Sequence, residues 1–424
     1  MMWQLFLVSV SLLAIVPSLG VVGLVITAGL VWRRDYREIF HYRFNWGLAI
    51  FLLWLVLISV FAFKPIQTLE GWANLLPLIV VFPAFSRLIN SPARLRKLAW
   101  VIVLPSLLIT ILGLGQLFAG WASPLLLQQL DLTLIANGQP TGRMSSLLMY
   151  ANTLAAYLVI IFGLVLGLLI DAWRTRPKDW RKVGLLSLIS VLAAIGLVLT
   201  KSRSGWGIAF GICLVYCLYL GWRWIFLALA AIGTSIGWAT WGPIAGRNSL
   251  RAIVPSLFWS RLSDDAFERP IETLRSTQWQ FATEMIAHRP WFGWGLRNFT
   301  PLYKGHMGLW LGHPHNLFLM LFAEIGIPGT LLFCGLIGWV MLQASRLLLT
   351  QHPTLLQREK ALETQSNRLV LFSFLVAFAG CIAFNNFDVT IFELRLNVLG
   401  WVVVSAIGGM VQAQYELQQT SAPD

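Results

Sequence analysis

Long runs of apolar residues divide this chain and decide which folds are open to it. Each run is long enough, or nearly so, for a helix of about 20 residues that crosses a lipid bilayer. The runs lie near residues 4–31, 45–63, 72–88, 98–119, 148–170, 183–200, 205–221, 223–241, 317–345, 369–386 and 391–411. We therefore predict an all-α polytopic membrane protein with roughly eleven transmembrane helices, within a range of about ten to twelve.

The composition agrees with this class. Hydrophobic residues make up 57% of the 424 residues and charged residues only 12%, which is too apolar for a soluble globular protein. The 21 tryptophans fit the aromatic belts found at membrane interfaces. Since the four cysteines lie inside apolar runs without C-x-x-C spacing, neither a disulfide framework nor a zinc site is predicted.

The basic residues indicate how the chain is oriented in the membrane. Arginine and lysine cluster in the short loops after the first, third and fifth runs, and again around the loop after the ninth. Such loops face the cytoplasm, so the N-terminus is predicted outside and the C-terminus inside. The net charge of +13 is then explained by topology rather than by nucleic acid. The first run has no basic leader, which favours a span over a removed signal peptide.

This topology divides the chain into four parts. We expect N-terminal helices over 1–119, central helices over 120–241, an extracytoplasmic loop subdomain over 242–316, and C-terminal helices with a short cytoplasmic tail over 317–424. The polar residues that could carry out chemistry then lie on the outer face.

The long 242–316 segment is rich in arginine. It carries eight basic residues against five acids, and seven of the eight are arginines, whose planar fork suits bidentate phosphate binding. A phosphorylated ligand and a solvated loop with local ion pairs both explain this pattern. Two further arginines, Arg143 and Arg203, lie at outward helix ends, which favours an anionic site shared with the loop.

A histidine pair precedes the ninth run. His313-Pro314-His315-Asn316 reads as a polar loop end, the next nine residues as an apolar helix, and Gly326-Ile327-Pro328-Gly329 as a break. A histidine at a water-facing helix end is a candidate general base, because imidazole takes up a proton near neutral pH. A merely interfacial histidine pair is the alternative.

Four motifs occur along the chain in the order of a known family. They are Gly142-Arg143 with Asn152, then Ser202-Arg203-Ser204-Gly205-Trp206, then Arg289 to Phe299 with its P-x-x-G-x-G-x-x-N-F pattern, and last His315-Asn316 followed by Gly326-Ile327-Pro328-Gly329. This set resembles the O-antigen ligase and O-antigen polymerase superfamily of bacterial envelope glycan enzymes. The resemblance covers roughly residues 130–410, whereas the first 120 residues or so contribute only spans.

The resemblance implies an inverting, metal-independent glycosyltransferase without a cofactor. Such an enzyme moves a glycan from a polyprenyl-diphosphate carrier to an acceptor hydroxyl at the outer face of the bacterial inner membrane. The partners implied are the lipid-linked donor, a glycan, lipid or protein acceptor, and membrane lipids, with no nucleic acid. Lipid A core as acceptor would make the protein a ligase, and a growing glycan would make it a polymerase.

The same resemblance implies roles for individual residues. His315 is expected to deprotonate the acceptor, and arginines are expected to neutralise the leaving diphosphate. The diphosphate-binding candidates are Arg143, Arg203, Arg261, Arg269 and Arg275. The supporting or acceptor-binding candidates are His313, Asn316, Asn152, Asp388 and Arg289. No metal ligand is expected, and Glu324 is expected to serve packing.

A transporter for bicarbonate or another small anion is the alternative from a different class. Arginines would be expected there as well, but the pathway would also need ionisable residues through the middle of the bilayer. Arginine and lysine lie almost wholly at the ends of the apolar runs. The pattern therefore favours the enzyme.

Overall fold

The computed structural model describes residues 1–263, 271–349 and 361–421, and no β-strand occurs within these ranges. The helices, in chain order, are α1 (Met2–Ile15), α2 (Pro17–His41), α3 (Phe44–Val60), α4 (Pro65–Leu88), α5 (Pro92–Val103), α6 (Pro105–Phe118), α7 (Leu125–Gln128), α8 (Ala151–Arg174), α9 (Trp180–Leu199), α10 (Arg203–Leu220), α11 (Arg223–Trp241), α12 (Ile244–Ile253), α13 (Ser256–Leu262), α14 (Arg275–His288), α15 (Phe299–Met307), α16 (Leu317–Leu349), α17 (Ala361–Phe384) and α18 (Leu394–Ser421).

Most of the long helices are able to cross a membrane. Among the described residues, nine helical segments are long and apolar enough, namely α4, α5 joined to α6, α8, α9, α10, α11, α16, α17 and α18. Helices α2 and α3, bent by 103° at a short break, would together add a tenth. The prediction of an all-α polytopic membrane protein is confirmed, with a helix number at the lower end of the expected range.

The first apolar run forms two helices instead of the single span that we predicted. The chain turns back at Val16, and proline, which lacks an N–H group and suits a first helical turn, begins α2. The two helices pack closely, because a side chain at Gly20 would lie 2.5 Å from Cα of Leu13. Helix α1, with 14 residues, is too short to count as a span on its own.

The position of the N-terminus differs from the prediction for the same reason. The guanidinium group of Arg94 lies 5.4 Å from the ring centre of Trp3, and Phe6 packs edge-on against Phe85. The start of the chain therefore lies beside the basic loop that precedes α5. Our prediction of an N-terminus on the face opposite to the basic loops is wrong.

The other basic loops do gather at one end of the helix bundle. Arg96 pairs with Asp171 at 3.5 Å, which joins the start of α5 to the end of α8. Arg87 at the end of α4 pairs with Glu416 near the end of α18. We refer to this end as the basic end, and to the opposite end, which carries the 242–316 segment, as the loop end.

Helices α8 and α17 form the tightest contact in the middle of the bundle. Gly163 and Gly167 of α8 are four positions apart, and small residues at this spacing let two helices approach closely. A Cβ atom at Gly163 would lie 3.0 Å from Cα of Ala377, and one at Gly167 would lie 2.3 Å from Cβ of Ser373. This packing brings the start of α8 next to the end of α17 at the loop end.

The described parts of the 242–316 segment fold into short helices at the loop end. Helices α14 and α15 bury an apolar cluster against the first half of α16, formed by Ala282, Met285, Phe299, Tyr303 and Ala323. The segment is therefore fixed to the helix that begins at the histidine pair. The division of the chain into four domains stays a prediction.

Candidate active site

The P-x-x-G-x-G motif, within residues 289–299, packs against the glycine-proline break at residues 326–329. Helix α16 is interrupted at Gly326, whose φ of 73° favours glycine, so the predicted break is confirmed. The freed N–H of Ile327 donates to the carbonyl of Pro290 at 2.8 Å. A side chain at Gly326 would lie 2.1 Å from the carbonyl oxygen of Trp291. The N–H group freed at the break thus finds its acceptor in the motif, and the glycine at the break leaves room for the backbone of the motif.

Two buried polar side chains hold this junction. Glu324 is 1% exposed and accepts a hydrogen bond from the N–H of Phe299 at 3.2 Å, in line with the packing role that we expected. Asn298 accepts from the N–H of Lys64 at 3.0 Å and donates to Thr68 at 2.9 Å, which ties the motif to the start of α4. The two side chains thereby join the first half of α16, the 289–299 motif and the start of α4.

His315 is placed by the cap of α16. Asn316 accepts from the N–H of Leu319 at 3.0 Å as a helix cap and donates to the carbonyl of Asn386 at 3.3 Å. His315 itself has a φ of 51°, a left-handed conformation that costs on the order of 1 kcal/mol for a residue other than glycine. Strain of this kind is typical of functional positions.

Asp388, in the turn between α17 and α18, lies at the centre of a polar cluster. Its Oδ1 is 3.2 Å from Nδ1 of His315 and 3.7 Å from Nε2 of His313. Its Oδ2 accepts from Nδ2 of Asn152 at 3.1 Å. We refer to these four residues as the His315 cluster. Burial alone would raise the pKa of Asp388, but the hydrogen bond with His315 and the nearby histidines outweigh burial and hold the pKa well below its usual value.

His313 has a different environment from His315. Burial lowers the pKa of His313 to about 4, against the opposing effect of Asp388, while His315 and Arg275 add to the lowering. Its Nδ1 accepts from the backbone N–H of His315 at 3.2 Å, and its ring stacks on Phe392 with 5.6 Å between centres. His313 is thus a neutral neighbour that positions the backbone of His315.

The His315 cluster also has the donor set of a metal site. One ligand atom from each of His313, His315 and Asp388 lies within 4.8 Å of the others. Two imidazoles and a carboxylate are ligands that Zn²⁺ accepts. The expected absence of a metal can therefore be tested with a chelator and with added Zn²⁺.

A chain of hydrogen bonds joins Arg143 to the cluster. Its Nη2 donates to Oδ1 of Asn152 at 2.7 Å, and its Nε donates to the carbonyl of Thr200 at 2.7 Å. Asn152 in turn donates a hydrogen bond to Oδ2 of Asp388. Of the sequence-predicted pair, Asn152 is therefore two hydrogen bonds from His315 and Arg143 is three.

Other predicted arginines surround the short turn between α9 and α10. Arg203 is the first residue of α10, after the cap residue Ser202, and Nε of Arg261 donates to the carbonyl of Lys201 at 3.3 Å. Arg275 is close enough to His313 to lower its pKa. Arg269 lies outside the described residues. The structure thus gathers arginines from the central helices and from the 242–316 segment at one end of the bundle.

One family comparison bears on this arrangement of cluster and arginines. Residues 188–334 match the family model described as O-Antigen ligase. The matched segment is thus similar to the O-antigen ligase family, which supports an O-antigen ligase-like superfamily. No curated protein matches the chain.

The segment that matches the O-antigen ligase family contains only part of the site. It spans Arg203, Arg261, Arg275 and the histidine pair. Arg143, Asn152 and Asp388 lie outside it, and the fold brings them to His315 through the α8–α17 contact. The residues inside and outside the match therefore form one structural site.

Arg289 occupies a different place from the rest of the predicted set. Its Nη1 donates to the carbonyl of Phe61 at 3.2 Å, and its guanidinium lies 4.2 Å from the ring centre of Trp294. These contacts join the 242–316 segment to the end of α3. A direct contact of Arg289 with an acceptor stays a prediction.

A cleft opens beside His315, and sequence reasoning missed most of its residues. Its volume is about 490 Å³. Gln67 and Glu70 line it from α4, a helix that we had read only as a span, and Arg297 and Trp310 line it from the 242–316 segment. The spacing of three between Gln67 and Glu70, which places both on one helix face, was the available signal.

Arg395 is a further residue near the site that the sequence did not reveal. It is buried near the start of α18 and donates to the carbonyls of Leu147 at 2.7 Å and Asp131 at 3.0 Å. It thereby fixes the 120–147 loop beside the site. A charged residue in an apolar run is costly without such partners, and that was the signal.

Proposed function

We propose that this protein transfers a glycan from a polyprenyl-diphosphate carrier to an acceptor hydroxyl at the outer face of the bacterial inner membrane. The observation that carries the proposal is the contact between Nδ1 of His315 and Asp388, at the edge of a cleft that His315 also lines. A carboxylate on Nδ1 fixes the tautomer in which Nε2 is free to accept a proton. The family match supports a ligase or a polymerase.

In the proposed reaction, the acceptor hydroxyl gives its proton to Nε2 of His315. The hydroxyl oxygen forms a bond to the anomeric carbon of the donor sugar as the bond from that carbon to the diphosphate oxygen breaks. The electron pair of the broken bond goes to the diphosphate, and the anomeric configuration inverts. The carboxylate of Asp388 stabilises the imidazolium cation that forms. Proton removal of this kind contributes roughly 10²–10⁴-fold in rate.

The leaving diphosphate gains negative charge, so we propose that the arginines bind it. Arg143, Arg203, Arg261 and Arg275 lie around the His315 cluster or around the turn beside it. Fixed cations in a water-poor site stabilise developing charge without a metal ion. We therefore propose metal-independent transfer, with Arg269 as a further candidate from the sequence.

The acceptor decides between ligase and polymerase. We favour a ligase that uses lipid A core or a similar acceptor, because the match is to a family described as O-Antigen ligase. Deletion of the gene and analysis of envelope glycans test the choice. Lipid-linked polymer without attachment indicates a ligase, and single repeat units in place of long chains indicate a polymerase. Intact glycans with impaired bicarbonate uptake would indicate a transporter.

Single substitutions test the chemistry. We expect His315→Ala to abolish glycan transfer while the protein stays in the membrane, and Arg203→Lys to reduce transfer strongly, because lysine lacks the bidentate fork. His306→Ala is a matched control, since His306 is an exposed histidine in the same segment. Surface glycans that are unchanged in both His315→Ala and Arg203→Lys would contradict the proposal.

A further inference from the structure

The cleft beside His315 differs in character from the arginine-rich side of the site. Gln67 and Glu70 line it from α4, Trp310 and Phe392 contribute aromatic rings, and Arg297 is a further lining residue. We propose that this cleft is the acceptor-sugar subsite and that it binds a neutral pyranose. The inference rests on the proposed function and adds the chemical class of the acceptor group and the residues that select it.

The lining matches the chemistry of a sugar ring. Trp310 is 67% exposed although it is a large aromatic residue, so its ring face is available for contact with the apolar C–H face of a pyranose. Glu70 and Gln67 offer carboxylate and amide groups that accept and donate hydrogen bonds to hydroxyls. Few polar groups on an aromatic surface are the usual arrangement in a small-molecule site.

The charges in the cleft favour a neutral ligand over a phosphorylated one. Its lining includes the carboxylate of Glu70 and the guanidinium of Arg297, whose charges offset each other. Arg143 and Arg261 instead contact Thr200 and Lys201, at the turn before α10. The donor diphosphate and the acceptor sugar therefore have separate approaches to His315, as a transfer between two substrates requires.

One buried polar atom in the cleft wall lacks a partner. Within the part of the chain that the structure describes, Oε1 of Gln67 is buried and accepts no hydrogen bond. Buried polar atoms without partners are rare, and each one calls for an explanation. A small rotation of the Gln67 amide would bring this oxygen into the cleft, where a sugar hydroxyl would donate to it.

The backbone conformation of Arg297 and the neighbouring helix α4 together fix the position of its side chain. Its φ is 60°, and its Cγ would lie 3.1 Å from a Cβ atom at Gly71, so the absence of a side chain on α4 makes room for it. Its guanidinium lies 5.4 Å from the ring centre of Phe392. A strained backbone and a glycine neighbour thus keep a cation at the cleft, next to Glu70 and Gln67.

Saturation-transfer NMR on the purified full-length protein in detergent tests the proposal. The probes are the methyl glycosides of glucose, galactose, mannose and N-acetylglucosamine. We expect at least one of them to bind and the signal to fall about tenfold in Trp310→Ala and in Gln67→Ala, as for one lost contact of ordinary strength. Trp241→Ala is the matched control, because Trp241 is also 67% exposed and ends α11.

In a transfer assay, Trp310→Ala should raise the KM for the acceptor about tenfold and leave the KM for the donor unchanged. The absence of binding by all four glycosides, or equal binding in Trp310→Ala, Gln67→Ala and the wild type, overturns the inference. If His315→Ala abolishes transfer and the glycosides do not bind, only the subsite is wrong. If the glycosides bind and His315→Ala still transfers glycan, only the proposed function is wrong.

Discussion

Nδ1 of His315 lies 3.2 Å from Oδ1 of Asp388, a residue 73 positions further along the chain. The contact exists because α16 begins where α17 ends, with the N–H of Leu317 donating to the carbonyl of Asn385 at 2.8 Å. A histidine whose Nδ1 faces a carboxylate presents Nε2 to a substrate. The pairing would therefore orient His315 for its proposed role as the general base.

The first prediction concerns this pairing. Asp388→Asn keeps the size of the side chain, but its amide can donate to Nδ1 and favour the wrong tautomer of His315. We expect the turnover rate to fall by about 10²–10⁴-fold, with a smaller change in the KM for the donor. Steady-state kinetics on a lipid-linked glycan donor measure both constants. A turnover rate within a factor of about three of the wild type would exclude an orienting role for Asp388.

The second prediction concerns the hydrogen bonds that begin at Arg143. Its Nε and Nη2 reach Thr200 and Asn152 at the same time, and a lysine ammonium group lacks this fixed fork. We expect Arg143→Lys to reduce transfer about tenfold or more while the protein still folds. Arg346→Lys, at the opposite end of α16, serves as the control substitution of the same type. Equal activities of the two variants would show that the fork at Arg143 is dispensable.

The overall architecture could be predicted because apolar runs of sufficient length have few alternatives in a membrane. The failure at the N-terminus has a local cause. Pro17 in an apolar run reads equally well as a kink within one helix and as the start of a second helix. The contact of Gly20 with Leu13, which decides for two antiparallel helices, is visible only after the chain has folded.

The site was predictable only in part, for a related reason. Four site candidates could be identified from the sequence. Recognisable motifs contain His315, Arg143 and Asn152, and a polar turn contains Asp388. Glu70 could not be identified as a site residue from the sequence. A carboxylate one turn into an apolar helix has no local feature that connects it to a histidine elsewhere in the chain. Packing of the 242–316 segment on α4 creates that connection.

The third prediction concerns the break in α16. Gly326→Ala would place a methyl group 2.1 Å from the carbonyl of Trp291 at a left-handed φ, so the 289–299 motif would have to shift. We expect a loss of stability of roughly 2 kcal/mol or more. Gly335→Ala is the control on the same helix, because a Cβ atom there meets nothing within 4 Å. Thermal unfolding in detergent should separate the two variants clearly. Equal unfolding midpoints would contradict the close contact between Gly326 and the 289–299 motif.

The fourth prediction concerns pH. The pKa of His313, about 4 in the folded protein, lies below the value of about 6.5 for a free histidine. The unfolded chain therefore binds the proton more readily, and stability falls as the pH drops from about 6.5 towards 4. Asp388, whose pKa is also lowered, keeps its stabilising effect above about 3.9, the unfolded value, and does not contribute in this window.

We expect the wild type to unfold at a lower temperature at about pH 5 than at about pH 7.5, and His313→Gln to show a smaller difference. His306→Gln should behave like the wild type, because His306 is exposed. A pH effect of the same size in His313→Gln and in the wild type would show that other groups cause it.

The last prediction concerns metal ions at the His315 cluster. The proposal of metal-independent transfer requires that prolonged treatment with EDTA leaves the rate of transfer unchanged. The same cluster, with two imidazoles and a carboxylate within 4.8 Å, should bind added Zn²⁺. An ion bound to Nδ1 of His315 would leave the ring proton on Nε2, so Nε2 could not accept a proton from the acceptor. Zn²⁺ should therefore inhibit, and Mg²⁺, which prefers oxygen ligands, should not. His313→Gln removes one ligand and should weaken inhibition by Zn²⁺ about tenfold or more, and a rate that falls with EDTA and returns with Zn²⁺ would instead make the ion part of the enzyme.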